Sequence, residues 1–138
     1  MSYLLDTSIL SASSKRRPPI RILRWLEEHE DQSFISVVSL AELQFGIETS
    51  VDPQFRTSLE DWLTKLRSQF AHALLGLSEP VLVEWKRLLA ELKMKNRTVS
   101  FADSLLAATA REYKLRVVTT NIRDFEPSGV EIVDLRYG

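Results

Sequence analysis

Asp6, Glu42 and Asp103 are the residues of this 138-residue chain whose type and placement point to chemistry. Asp6 closes the apolar run Tyr3-Leu4-Leu5, Glu42 follows the β-branched and aromatic run Phe34-Ile35-Ser36-Val37-Val38, and Asp103 lies at the start of an alanine-rich segment. A fourth polar position comes at the end of the run Arg116 to Thr119, where Thr119-Thr120-Asn121 leads into Asp124. A few convergent carboxylates suit Mg2+ or Mn2+, hard cations that take oxygen ligands and keep several waters. Such a site would support water and phosphate chemistry at neutral pH. Without a cation the acids would repel one another.

A structural alternative accounts for each acid singly. Ser39-Leu40-Ala41-Glu42 and Ser100-Phe101-Ala102-Asp103 both match the serine-to-acid spacing of a capping box, and Asp6 can be a turn or cap residue. Capping and chemistry are compatible, because a capping position also puts the carboxylate at the edge where a ligand would sit.

The elements that must position these residues are legible as strands alternating with helices. Tyr3 to Leu5 is expected as a first strand, and Asp6-Thr7-Ser8 starts a helix. After Pro18-Pro19, the spacing of Ile22, Trp25, Leu26 and His29 predicts a helix. Phe34 to Val38 reads as the second strand, with Ser39 capping the helix that runs through Leu40, Leu43 and Ile47. Another helix follows Pro53, carrying Phe55, Leu59, Trp62, Leu63, Leu66 and Phe70 on one face. Ala73 to Leu75 is the third strand. Ser78-Glu79-Pro80 opens a helix striped by Val81, Leu82, Trp85, Leu88, Leu89 and Leu92. The helix from Ser100 to Tyr113 has alanines enough to lie close to a sheet, and Arg116 to Thr119 and Val130 to Val133 are the fourth and fifth strands. Strands linked by helices pair in parallel, so the expected fold is α/β: a three-layer α/β/α sandwich around a mostly parallel sheet of four to five strands, one domain over residues 1–138. Sites in such sheets form beyond the carboxyl ends of the strands.

Composition narrows the class. With 44% apolar and 27% charged residues the chain has the makeup of a folded globular domain. Its 18 basic and 19 acidic residues nearly cancel, so binding of a polyanion would rest on local patches such as Lys15-Arg16-Arg17 or Lys95 and Arg97. The absence of cysteine excludes disulfides, thiolate nucleophiles and thiolate zinc sites. The first apolar run ends at Asp6, too early for a signal-peptide core, and no later run is long enough to span a bilayer, so the chain reads as cytoplasmic with no membrane partner. His29 and His72 lack metal-ligand spacing and are read as a surface and a sheet-edge residue. Trp25, Trp62 and Trp85 are read as core or dimer-interface residues before base-stacking platforms. Gly46, one turn beyond Glu42, is expected to let a neighbouring element approach.

Four segments, taken in order, carry a resemblance. They are Tyr3-Leu4-Leu5-Asp6-Thr7-Ser8-Ile9-Leu10, Ser36 through Ile47, Ala102-Asp103-Ser104-Leu105-Leu106-Ala107-Ala108-Thr109-Ala110, and Val118-Thr119-Thr120-Asn121-Ile122-Arg123-Asp124-Phe125. Together they resemble the successive motifs of the PIN-domain family and, within it, the VapC-type ribonuclease toxins of bacterial toxin–antitoxin modules. The resemblance implies that Asp6, Glu42 and Asp103 bind Mg2+ or Mn2+, and that a fourth acidic position after the fourth strand completes the site. Many relatives carry Asp where this chain has Asn121, and Asp124 is the other candidate. Ser8 stands where relatives often carry Asn, and Thr7 is the matching residue whose hydroxyl would hold a carboxylate or a water. The implied activity is hydrolysis of RNA to leave a 5′-phosphate. The implied partners are the RNA substrate and a cognate antitoxin, in a homodimer or a toxin–antitoxin hetero-oligomer. Two alternatives stand beside this. A PIN-fold interaction module weakened by Asn121 would bind without cutting, and an aspartyl-phosphate phosphotransfer domain would use Asp6, although no second Asp accompanies it and no Lys follows the fourth strand.

Overall fold

The computed structural model describes residues 1–136. Five strands, β1 (Tyr3–Leu5), β2 (Ser33–Ser36), β3 (Leu74–Leu75), β4 (Arg116–Thr119) and β5 (Ile132–Asp134), form one sheet in the order β3-β2-β1-β4-β5 with every pairing parallel. The connecting helices are α1 (Thr7–Ser13), α2 (Ile20–His29), α3 (Val37–Glu48), α4 (Pro53–Gln69), α5 (Glu79–Met94) and α6 (Phe101–Tyr113).

Strand pleating sends alternate side chains to two separate cores. Leu5, Ile35 and Val118 pack with Ile9, Leu10, Ile22, Leu43, Leu63 and Leu66 on the side of α1 to α4. Leu4 and Val117 pack on the other side with Leu88, Leu92, Leu106, Ala107 and Ala108 of α5 and α6. Each fully buried aliphatic side chain among these contributes about 1.5–3 kcal/mol. Ala107 and Ala108 are both completely buried, which sets α6 close against β1 and β4 with α5 outside it. The expected three-layer sandwich is therefore realised, with five strands and a parallel sheet throughout.

Strand order reverses between β1 and β4, because the chain moves outward to β2 and β3 and then returns to the opposite side of β1. That reversal opens a crevice at the carboxyl ends of β1 and β4, the place where α/β sheets bind ligands.

Helix starts follow their cap residues. Asp52 accepts from the Gln54 and Phe55 amides, Ser78 from Val81, and Ser100 from Asp103. Some expected boundaries move. The second strand stops at Ser36 rather than reaching Val38, since the Ser36 hydroxyl accepts from the Val38 amide at 3.0 Å and turns Val37 and Val38 into the first turn of α3. Ser39 is consequently inside the helix and fully buried, and it does not cap it. The third strand is shortened to Leu74–Leu75 because Ala71–Ala73 form a 3-10 turn, and the fifth shifts to Ile132–Asp134.

The tryptophans lie at packed positions, Trp25 and Trp62 against one core and Trp85 against the other. His29 is half-buried rather than a surface residue. Its ring stacks on Trp25 at 4.2 Å and meets the Tyr3 ring edge-on. Gly46 does not serve a close approach, as a Cβ there would meet nothing within 4 Å. No helix among the described residues is long and apolar enough to cross a membrane.

Candidate active site

Asp6 immediately follows β1 and is 4% exposed. Its amide donates to the Val118 carbonyl at 2.9 Å, which fixes the residue against the end of β4. Its Oδ2 accepts from Ser8 Oγ and from Thr119 Oγ1, each at 2.7 Å. Thr119, fully buried at the end of β4, thus reaches across the crevice to an acid far away in sequence.

Glu42 projects from the second turn of α3 and is exposed. Since Ser36 caps α3, the Ser39-to-Glu42 spacing is not a capping box. Both side chains instead meet Thr7 of α1. Thr7 Oγ1 lies 2.7 Å from Glu42 Oε1 and 2.9 Å from Ser39 Oγ, so its single proton faces two acceptors, with the carboxylate the nearer.

Asp103 is different, because here the cap geometry is real. Its amide donates to Ser100 Oγ at 3.1 Å, and its Oδ2 accepts from that hydroxyl at 2.8 Å. It is also an acid under electrostatic pressure. Burial pushes its carboxyl up to about 6, opposed by the Ser100 hydrogen bond, and the negative charges of Asp6, Asp124 and Glu42 raise it further. These carboxylates from four separate segments therefore share one field at the carboxyl edge of the sheet.

Asn121 and Asp124 occupy the turn after β4. Asn121 precedes the 3-10 turn Ile122–Asp124, and its backbone amide donates to Thr119 Oγ1 at 2.8 Å. Asp124 is exposed and acts on Asp103 electrostatically. Lys15 lines a groove of about 400 Å3 together with Thr7, Glu42, Gly46 and Trp62. Arg16, Arg17, Lys95 and Arg97 are exposed in the connections beside α1 and α5.

Among the described residues no three acidic, histidine or cysteine side chains close into a ready-made metal centre. The physical reason lies in the hydrogen bonds above. Facing like charges lower their energy by turning to hydroxyl donors, and Asp6, Glu42 and Asp103 each have one or two. The donor set is entirely oxygen and carries net negative charge, which fits a hard divalent cation and excludes a soft one.

The sequence marks Ser39 only as a cap and Thr119 only as the start of a polar stretch, not as hydroxyls that hold Glu42's partner Thr7 and Asp6. The only local sign was a Thr ending the buried run Val117-Val118, because its partner is Asp6, 113 positions away.

The fold and site together define a class: an α/β protein with an acidic, hydroxyl-braced crevice at the switch point of a parallel sheet. A family model described as the PIN domain matches residues 3–126, and the chain belongs to the PIN-domain family. It is 30% identical over 127 residues to ribonuclease VapC2 of Haemophilus influenzae, covering 91% of both chains. The crystal structure of FitAcB from Neisseria gonorrhoeae superposes with a TM-score of 0.87 at 27% identity, covering 96% of each chain. VapBC-5 from Mycobacterium tuberculosis, a member of the VapBC family of toxin–antitoxin systems, superposes with a TM-score of 0.71 at 25% identity, covering 97% of this chain and 98% of that one.

Proposed function

We propose that this chain is a Mg2+- or Mn2+-dependent endoribonuclease and the toxin of a toxin–antitoxin pair, cutting RNA and held in check by a cognate antitoxin. One observation carries the proposal: Asp103, raised to about 6 chiefly by burial and further by the charges of Asp6, Asp124 and Glu42, shares the carboxyl edge of the sheet with those acids. A plain capping residue at a helix start has no reason to face three other acids. The ribonuclease relative supports the reaction, and the toxin–antitoxin neighbour supports the partner.

In this site Asp6, Glu42 and Asp103 would hold the cation, which lowers the pKa of a bound water and offsets charge building on the phosphate. The chain's own groups do the positioning. Ser8 and Thr119 fix the Asp6 carboxylate, Thr7 fixes Glu42, and Ser100 fixes Asp103, so each acid is restrained by a neighbour that loses little entropy on binding. Lys15 lies in the groove that Glu42 lines, where an RNA backbone leaving the crevice would meet a cation.

The purified chain is expected to cut RNA in millimolar Mn2+ and to stop when EDTA is added. Gel analysis of total RNA reads the result, and no cleavage in any divalent ion would favour the binding-module alternative. For the fourth position we propose Asp124, because its negative charge acts on Asp103, whereas Asn121 offers only a neutral amide oxygen. Asp124→Asn is then expected to weaken Mn2+ binding about tenfold, and Asn121→Ala by less. Titration calorimetry on both variants decides, and the reverse order would assign the role to Asn121.

A further inference from the structure

The hydrogen bonds around Asp6 have a sense that can be worked out atom by atom. Ser8 Oγ and Thr119 Oγ1 each lie 2.7 Å from Asp6 Oδ2. Each hydroxyl also accepts a backbone amide from the turn after β4: Thr120 N–H donates to Ser8 Oγ at 3.2 Å, and Asn121 N–H donates to Thr119 Oγ1 at 2.8 Å. An amide can only donate, so it takes a hydroxyl lone pair. The one proton of each hydroxyl is left for Asp6, in preference to the longer 3.4 Å separation between the two hydroxyls themselves. A carboxylate oxygen has two lone pairs, and both of those on Oδ2 are therefore used. Among the described residues no hydrogen bond reaches Oδ1.

We propose that Thr119, acting with Ser8, is a positioning residue that reserves Asp6 Oδ2 for hydroxyl protons, so that Asp6 offers a cation one oxygen only and the site selects Mg2+ or Mn2+ over Ca2+. This rests on the metal site proposed above and goes beyond it by assigning the origin of its selectivity. Ca2+ takes six to eight oxygens at longer distance and readily uses both oxygens of a carboxylate, whereas Mg2+ demands near-octahedral, single-oxygen contacts. A carboxylate with one oxygen committed is matched to the second requirement. The same clamp joins the two sides of the crevice, because the hydroxyls that hold Asp6 also hold the turn carrying Asn121 and Asp124.

The test is calorimetric titration of the full chain with Mn2+, Mg2+ and Ca2+, comparing wild type with Thr119→Val, Thr119→Ser and Ser8→Ala, after circular dichroism has established folding. Thr119→Val is expected to weaken Mn2+ binding about tenfold. Its Ca2+ affinity should fall much less, narrowing the Mn2+/Ca2+ preference by at least about threefold, and Thr119→Ser should restore the wild-type ratio. Equal losses for Mn2+ and Ca2+, or no loss at all, would overturn the selectivity clamp. Should Thr119→Val not fold, Ser8→Ala carries the same ratio test from the half-buried start of α1. Wild type that binds no Mn2+ would instead bring down the metal site itself, and the clamp with it.

Discussion

Asp103→Asn is expected to abolish Mn2+-dependent RNA cleavage, by more than about a hundredfold, while making the metal-free protein more stable. The two effects have one origin. Removing groups that merely orient a metal ligand costs about ten- to a hundredfold, and a residue in the ligand position should cost more, because a neutral amide oxygen competes poorly with water for a hard cation. Stability moves the other way. The folded-state value of about 6 lies above the ordinary 3.8, so ionised Asp103 opposes folding at neutral pH. Replacing it with a neutral group of the same shape removes the cost of burying that charge and its smaller repulsion from neighbouring acids, and keeps an acceptor for the Ser100 hydroxyl. Allowing for solvent screening at a half-buried site, the gain is about 1 kcal/mol, or roughly 4 °C in melting temperature. A residue that only caps α6 predicts the opposite sign, since loss of a negative charge from a helix N-terminus destabilises it. Thermal melts without metal, beside a cleavage assay with Mn2+, read both effects. A folded variant that cuts at the wild-type rate would remove Asp103 from the site.

Mn2+ itself is expected to stabilise the wild-type chain, by about 2.7 kcal/mol at a hundredfold excess over its dissociation constant, because the unfolded chain has no such cluster of acids. For a protein of this size that corresponds to roughly 10 °C. The effect depends on pH in a direction fixed by Asp103. Between 3.8 and about 6 the folded state holds a proton that the unfolded state has lost, so this group's contribution to metal-free stability is complete below 3.8 and is lost as pH rises through 6. A cation and that proton compete for the same carboxylate. Stabilisation by Mn2+ should therefore be large at pH 7 and shrink steadily below pH 6, tending towards a tenfold loss of affinity per pH unit if one proton is displaced. Melting curves across a Mn2+ titration at pH 5, 6 and 7 test this. A melting temperature indifferent to Mn2+ at pH 7 would count against the metal site.

How far the sequence disclosed this arrangement depended on whether the signal was local. Ser78, Asp52 and Ser100 announce their helices because each cap bonds an amide two or three residues on. Asp6 and Asp103 were legible because a carboxylate after a buried strand or beside a cap serine stands out from apolar neighbours. The β2–α3 boundary was misplaced because Val37 and Val38 carry strand propensity, which the Ser36 cap and the packing of Val38 against the α5–α6 core override. That shift also removed the capping alternative for Glu42, whose partner proved to be Thr7, 35 positions distant. His29 was misjudged for a similar reason: its partner Trp25 is near in sequence, yet its half-buried state depends on Tyr3 of the first strand. Pairings between β1 and β4 leave no mark on either segment alone.

The pairing of β1 with β4 also determines when in synthesis the crevice can exist. Tyr3 lies opposite Arg116 and Leu5 opposite Val118, so the first strand to leave the ribosome waits for one of the last before the Asp6 clamp can form. Contacts of such separation form late, after a long loop has been closed against its entropy. A nascent chain that has emerged only as far as α5 carries Asp6 and Glu42 but neither Asp103 nor the Thr119 hydroxyl. Incomplete chains should for that reason be harmless to the RNA around them, including the messenger being translated, and cutting power would switch on only as β4 docks.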